Sequence, residues 1–123
     1  NRIERVLNAN GKPVKGTKVL ILGVSYKAGV GDTRESPAIK IIRLLGELGA
    51  DVRYHDPHVP ALKEAGLTNT PDLDGALADA DLSVIITAHP EFDWAEVIGK
   101  SDLVFDLRGV TREFDDPGNV TRL

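Results

Sequence analysis

Four basic side chains follow the first and last apolar segments of this 123-residue chain: Lys27 and Arg34 after the first, Arg108 and Arg112 after the last. Lysine and arginine bind phosphate groups through charge-assisted hydrogen bonds. The formal net charge of the chain is −4, so these cations do not belong to a general basic excess. Their placement predicts an anionic ligand, most simply a phosphate, and the acidic balance argues against a nucleic-acid-binding protein.

The loop after the first apolar segment does not match the two common phosphate-binding glycine motifs. Its glycines are Gly23, Gly29 and Gly31. Their spacing fits neither G-x-G-x-x-G, the dinucleotide fingerprint, nor G-x-x-x-x-G-K-[ST], the P-loop. We therefore expect a nucleotide-binding fold in which a different loop replaces the usual phosphate turn. In the alternative interpretation, Lys27 and Arg34 are solvated loop charges and Asp32 only caps a turn.

Composition excludes several other kinds of site. Because the chain has no cysteine, it can form no disulfide, no thiolate nucleophile and no cysteine-bound zinc site. Its fractions of apolar (41%) and charged (28%) residues are ordinary for a globular domain, and no apolar run is long enough for a membrane span. His55, Asp56 and His58 are close in sequence, but Pro57 disrupts the geometry of a metal site, so we predict no metal. We expect one cytoplasmic domain with no membrane partner.

The elements that position these residues follow from the spacing of the apolar side chains. Apolar runs predict strands at residues 17–23, 51–55, 82–87 and 103–107, and helical spacing predicts helices at 1–10, 37–48, 60–66, 70–80 and 92–98. This alternation predicts an α/β fold, a Rossmann-like three-layer sandwich with a mostly parallel sheet and helices on both faces. Right-handed crossovers give the strand order 2-1-3-4. The ligand crevice is then expected between the first and third strands, at their carboxyl ends.

Three segments are similar to one known family: Tyr26-Lys27 with Asp32-Thr33-Arg34-Glu35-Ser36-Pro37, then His55-Asp56-Pro57, then Phe105-Asp106-Leu107-Arg108. They resemble the C-terminal UDP-binding domain of the UDP-glucose/GDP-mannose dehydrogenase family, over almost the whole chain. The resemblance implies that residues 1–12 are the end of a central linker helix and residues 13–123 are the UDP-binding domain. The abrupt helical start and the lack of methionine agree with a piece of a longer protein.

The resemblance also implies a function. Enzymes of this family oxidise the C6 alcohol of a UDP-sugar to a carboxylate, with NAD as cofactor and a thioester on a cysteine. The implied ligand is UDP-glucose or a UDP-N-acetylhexosamine, with a lean toward the latter, for polysaccharide biosynthesis. NAD would be bound mainly by an N-terminal domain of a homo-oligomeric enzyme. Since this chain has neither a cysteine nor a dinucleotide fingerprint, we predict no catalytic residue and no activity of the chain alone.

Residue roles carried over from the family are expectations at this point. Tyr26, Lys27 and Arg108 are expected to bind the UDP-sugar, Arg34 to reach the NAD side, and Asp32 to orient the loop. A free-standing nucleotide-binding regulatory module is the alternative function. A receiver-type signalling domain is excluded, because acidic residues would be needed where Gly23-Val24 and Thr87-Ala88 stand.

Overall fold

The computed structural model describes residues 2–115 and 117–123. Its helices are α1 (Arg2–Ala9), α2 (Pro37–Glu47), α3 (Leu73–Asp79) and α4 (Trp94–Lys100), with one 3₁₀ turn at Lys63–Ala65. Its strands are β1 (Lys18–Leu22), β2 (Asp51–His55), β3 (Ala61–Leu62), β4 (Leu67–Thr68), β5 (Leu82–Ile85), β6 (Val104–Asp106) and β7 (Val120–Arg122). None of the described helices is long and apolar enough to cross a membrane.

The five longer strands form one parallel sheet in the order β2-β1-β5-β6-β7. The predicted order of four strands is confirmed, with β7 added at the edge beside β6. Sequence reasoning missed β7 because it is only three residues long and none of them is fully buried. The direction of winding reverses between β1 and β5, and a crevice opens at such a reversal at the carboxyl ends of the strands.

Helices cover both faces of the sheet, which explains why its central strands are continuous apolar runs. On one face, a core cluster joins α1 and α2 to the strands through Leu7, Leu45 and Tyr54. On the other face, a second cluster joins α3 and α4 to the sheet through Leu77 and Val97. The predicted three-layer Rossmann-like sandwich is therefore confirmed.

Helix α2 connects the first loop to the core, and its sequence explains both of its ends. Ser36 is the N-cap, its side chain accepts a hydrogen bond from the Ala38 N–H, and Pro37 occupies the first turn, where no amide proton is needed. Buried side chains at Ala38, Ile42 and Leu45 recur at helical spacing. The helix ends one residue before the predicted limit, and its N-terminus lies at the crevice.

Three predicted elements differ from the structure. Residues 60–66 form no helical piece of that length, because β3 and β4 pair as a short hairpin around the 3₁₀ turn. Helix α4 begins later than predicted because the Asp93 side chain caps it, accepting from the Glu96 N–H. Helix α3 is shorter than predicted for the same reason, with Asp72 as its cap.

Candidate functional site

A cleft lies at the carboxyl ends of β1, β5 and β6, at the predicted crevice. Its lining includes Tyr26, Lys27, Pro37, Thr87 and Arg108. Three expected substrate-binding residues, Tyr26, Lys27 and Arg108, thus line one cleft although 82 positions separate the first from the last (108 − 26). The cleft volume is about 70 Å³, well below the roughly 300 Å³ at which typical ligand pockets begin.

The cleft carries a concentration of positive charge. The Lys27 and Arg108 side chains are exposed, and among the described residues neither forms an ion pair. Pro37, in the first turn of α2, borders the same cleft, so the positive end of the helix dipole adds to the two cations. Such an arrangement stabilises an anion, and a phosphate group has the oxygens to bind all three donors.

Close approach of β1 and β5 brings the walls of the cleft together. Gly23 follows β1 with φ of +83°, and a Cβ added there would lie 2.5 Å from the Thr87 carbonyl oxygen. No side chain fits at that distance. Beside it, the Thr87 hydroxyl donates to the Ser25 carbonyl oxygen at 2.9 Å. The loop after β1 (residues 23–36, the β1 loop) is therefore joined directly to the end of β5.

A buried polar network continues below the cleft. The His89 Nε2 lies 2.8 Å from Asp56 Oδ2 and 3.0 Å from Ser25 Oγ, and the Gly29 N–H donates to His89 Nδ1 at 3.0 Å. Asp56 Oδ2 also accepts from the Val24 N–H at 2.8 Å. His89 and Ser25 are fully buried, as is the Asp56 side chain. The His89 ring lies beneath the β1 loop and is not part of the cleft lining.

This network does not have the connectivity of a hydrolytic triad. In a triad the serine and the carboxylate occupy opposite ring nitrogens of the histidine. Here Ser25 and Asp56 both face Nε2, and Nδ1 accepts from a backbone amide. The buried Ser25 hydroxyl also faces the Lys27 carbonyl oxygen at 3.0 Å, so it is held within the fold.

The loop after β6 (residues 107–114, the β6 loop) is organised by Asp106. This buried carboxylate accepts hydrogen bonds from the backbone N–H groups of Arg108, Gly109 and Thr111, and from the Thr111 hydroxyl at 2.6 Å. Burial by itself would raise the pKa of Asp106, but the bonds from Thr111, Arg108 and Gly109 outweigh it, so the pKa lies below its usual value. Asp106 thereby fixes the backbone that carries Arg108.

Arg34 and Asp32 lie outside the cleft lining and pair with each other. The Arg34 Nη2 is 2.9 Å from Asp32 Oδ2, and Arg34 Nε and N–H both reach Asp32 Oδ1. The hydrogen bonds from Arg34 lower the pKa of Asp32 to about 2, and the pKa of Arg34 is raised in return. The next residue, Glu35, has φ of +63°, in the left-handed region that disfavours a side chain.

The predicted absence of a metal concerned His55, Asp56 and His58, and these residues have separate partners. His55 Nδ1 lies 2.7 Å from the Thr70 carbonyl oxygen, whereas Asp56 belongs to the network with His89. Three side chains near the same edge do approach one another: His58, His89 and Glu91. His58 Nε2 lies 2.7 Å from Glu91 Oε2, but the two atoms do not have the geometry of a hydrogen bond. Both ring nitrogens of His89 already have hydrogen-bond partners. Of these three residues, only His58 and Glu91 keep a free ligand atom, and two ligands are fewer than a metal site needs.

A larger groove, of about 340 Å³, lies near the amino ends of β1 and β2. Its lining mixes the cations Lys18 and Arg53 with carboxylates, among them Asp79, which pairs with Lys18 at 3.1 Å. Two cations face three carboxylates there, so the groove has no excess of positive charge for an anion, and ligands of parallel sheets bind at the opposite edge. The smaller cleft is therefore the candidate functional site.

Comparison with known proteins shows the family of the chain. Residues 20–113 match the model of the UDP-glucose/GDP-mannose dehydrogenase family, UDP binding domain. The chain is 35% identical to UDP-N-acetyl-D-mannosamine dehydrogenase of Pyrococcus horikoshii and 34% identical to UDP-glucose 6-dehydrogenase of Rhizobium meliloti. Each alignment covers 89% of this chain but only 26% and 27% of the relative. The chain thus spans about a quarter of their length.

Solved structures give the same result. The UDP-N-acetyl-mannosamine dehydrogenase of Staphylococcus aureus superposes with a TM-score of 0.73 at 28% identity, over 98% of this chain and 28% of that one. An NDP-N-acetyl-D-galactosaminuronic acid dehydrogenase of Methanosarcina mazei superposes with a TM-score of 0.79 over 98% of this chain and 27% of that one; at 20% identity, it supports the fold alone. By sequence and by fold, this chain belongs to the UDP-glucose/GDP-mannose dehydrogenase family and corresponds to its UDP-binding domain.

Proposed function

We propose that this chain is the UDP-binding part of an NAD-dependent UDP-sugar 6-dehydrogenase, and that its cleft binds the diphosphate of the UDP-sugar. The proposal rests on two cations beside the N-terminus of α2, Lys27 and Arg108, which form no ion pair within the described part of the chain. A diphosphate offers negative oxygens to both side chains at once. Family membership and the length of the relatives favour this function over a free-standing regulatory module.

Each expected residue receives a role in this proposal. Lys27 and Arg108 bind phosphate oxygens, and Tyr26, whose side chain is exposed beside Lys27, packs against the nucleotide. Asp32 accepts the Tyr26 N–H at its carbonyl oxygen and thus orients the loop. Arg34, which projects into solvent from the same loop, contacts NAD from the far side of an interdomain cleft.

The reaction itself is assigned to parts of the protein beyond this chain. The cleft is too small for a whole nucleotide, and the chain has no cysteine for a thioester and no dinucleotide fingerprint. In this proposal residues 1–12 end a central linker helix, residues 13–123 form the UDP-binding domain, and another domain binds NAD. The full-length enzyme acts as a cytoplasmic homo-oligomer. Relatives named for UDP-glucose and for UDP-N-acetyl-D-mannosamine match about equally well, so both sugars are candidate substrates.

Calorimetric titration of the 123-residue chain with UDP and with NAD tests the proposal. UDP should bind weakly but more tightly than NAD. Lys27→Ala and Arg108→Ala should each weaken UDP binding by about 1–3 kcal/mol, roughly 5- to 150-fold, because each removes a charge-assisted bond. Lys15→Ala is the matched control, since this exposed lysine precedes β1 at the other edge of the sheet.

Two results would contradict the proposal. Tighter binding of NAD than of UDP would place the cofactor in this domain. Wild-type UDP affinity in both cation variants would show that Lys27 and Arg108 are solvated loop charges. In a separate assay, the chain mixed with NAD and UDP-glucose or UDP-N-acetylglucosamine should produce no reduced cofactor. Sustained turnover would contradict the proposal that catalysis requires other domains.

A further inference from the structure

We propose that His89, oriented by Asp56, is the positioning residue that holds the Ser25–Gly29 segment over the cleft and thereby places the Lys27 ammonium for the UDP-sugar. The inference rests on the proposed function and adds a residue to it. His89 does not reach the cleft, because its ring is fully buried beneath the loop. Its action on the ligand is therefore indirect, through the loop backbone.

The ring of His89 engages both ends of the segment that carries Lys27. Its Nδ1 accepts from the Gly29 N–H at 3.0 Å, and its Nε2 is 3.0 Å from Ser25 Oγ. The same Ser25 hydroxyl faces the Lys27 carbonyl oxygen at 3.0 Å. These contacts enclose Lys27 between two anchored residues, while its side chain remains free to extend from the loop.

The hydrogen bonds determine which ring nitrogen of His89 carries the proton. An amide N–H can donate to Nδ1 only if that nitrogen has a free lone pair, so the proton of the neutral ring is on Nε2. From Nε2 it is donated to Asp56 Oδ2, 2.8 Å away. Asp56 is itself held by the N–H groups of Val24 and His58. Asp56 thus selects the one tautomer that leaves Nδ1 available for Gly29.

The network links the ends of three strands. Asp56 follows β2, His89 follows β5, and the loop itself follows β1. On the β2 side the loop also packs tightly, since a Cβ at Gly31 would lie 2.6 Å from the His58 carbonyl oxygen. A fully satisfied buried polar network favours one arrangement of the groups that it joins, because any other leaves a buried polar atom unpaired.

Two amide substitutions separate the two bonds of the ring. In His89→Asn the side-chain oxygen can occupy the position of Nδ1 and accept from Gly29. In His89→Gln the amide nitrogen can occupy the position of Nε2 and donate to Asp56, but the acceptor for Gly29 is lost. We expect His89→Gln to weaken UDP binding roughly 5- to 10-fold and His89→Asn at most about 2-fold, as for loss or retention of one hydrogen bond.

A double-mutant cycle with Lys27→Ala tests whether His89 acts through Lys27. In the Lys27→Ala background, His89→Gln should cause no further loss of UDP affinity. His55→Gln serves as the matched control, since the side chain of that half-buried histidine faces the Thr70 carbonyl oxygen and not the loop, and it should leave UDP affinity unchanged. An undiminished effect of His89→Gln without Lys27, or an equal effect of His55→Gln, would show a general structural role and overturn the proposal.

Nuclear magnetic resonance of the wild-type chain provides a readout that needs no ligand. Long-range proton–nitrogen correlations of the His89 ring should show Nε2 protonated and Nδ1 unprotonated, and the Gly29 amide should exchange slowly with solvent. A proton on Nδ1, or fast exchange at Gly29, would overturn the proposal. Failure of the wild-type chain to bind UDP would overturn the proposed function instead. In that case the tautomer of His89 and the exchange rate of the Gly29 amide would still show whether His89 anchors the loop.

Discussion

The β1 loop and the β6 loop each present one cation to the cleft, yet they are held in opposite ways. In the β6 loop, Asp106 accepts from groups only two to five positions further along the chain. In the β1 loop, the anchoring side chains include Asp56, Thr87 and His89, which stand 31 to 64 positions from their partners in the loop. The β6 loop is held mainly from its own base, and the β1 loop is held by neighbouring strands.

This difference has consequences for how each loop responds to change. The β6 loop depends mainly on the carboxylate at its own base, with further hydrogen bonds from Arg122 of β7 to Thr111. The β1 loop keeps its geometry only when β2, β1 and β5 are correctly aligned. The position of Lys27 therefore depends on the assembled sheet, whereas the position of Arg108 depends mainly on a local turn.

The largest effect is expected at the junction of the β1 loop with β5. Gly23→Ala should lower the free energy of unfolding by about 3–5 kcal/mol, because the new Cβ would overlap Thr87 and the backbone at φ +83° disfavours any side chain. Gly29→Ala is the matched control, with similar φ but no atom within 4 Å, and should cost about 1 kcal/mol. Urea unfolding measures both. Equal losses would mean that contact with β5 contributes nothing to the β1 loop.

The second-largest effect is expected in the β6 loop. Asp106→Asn should lower the free energy of unfolding by about 2–3 kcal/mol near neutral pH, because the amide cannot accept all four hydrogen bonds and leaves buried N–H groups unsatisfied. The Gly29 amide in the β1 loop should keep its slow hydrogen exchange in this variant. Loss of that protection would show that the two loops are coupled.

The acidic limb of the stability curve gives an independent measurement on Asp106. Since its pKa in the folded state lies below the unfolded value of about 4, ionised Asp106 stabilises the fold above that pH. The contribution is lost as pH falls from about 4 through the folded pKa. Asp106→Asn should therefore flatten the loss of stability in this window, measured by urea unfolding at a series of pH values. A slope identical to wild type would contradict the assignment.

A smaller gain is expected within the β1 loop. Glu35 has φ of +63°, so Glu35→Gly should raise the free energy of unfolding by about 1 kcal/mol by relieving left-handed strain. Glu35→Ala, which removes the carboxylate but keeps a Cβ, should give no such gain. Thermal unfolding compares the two, and an equal gain in both would point to the charge of Glu35 and not to its backbone.

The smallest effect is expected at Arg34. Its side chain is 86% exposed, and its ion pair among the residues that the structure describes is with Asp32 on the same loop, so Arg34→Ala should change UDP affinity of the chain less than about 2-fold. In the full-length enzyme the same variant should act on NAD binding or turnover. Calorimetry of the chain and kinetics of the enzyme separate these outcomes. A loss of UDP affinity comparable to that of Lys27→Ala would assign Arg34 to the UDP site.

Sequence alone was sufficient for the architecture. The apolar runs that became β1, β2, β5 and β6 predict parallel strands, and right-handed crossovers lead from them to the observed order. Helix α2 was predicted to within one residue because the residues at its two ends are local signals: Ser36 caps its start, and Gly49, with φ of +89°, follows its end. The hairpin at β3 and β4 and the edge strand β7 were not predicted, since segments of two or three residues have no periodicity to detect.

The same distinction applies to the site. That Lys27 and Arg108 face one crevice follows from their positions after strands, because the carboxyl ends of parallel strands meet at one edge. The role of Asp106 in the β6 loop could have been predicted from the sequence, since its partners are two to five residues away. The roles of Asp56 and His89 became visible only in three dimensions. Hydrogen bonds between residues 31 to 64 positions apart depend on strand alignment and ring orientation, and no pattern along the chain encodes either.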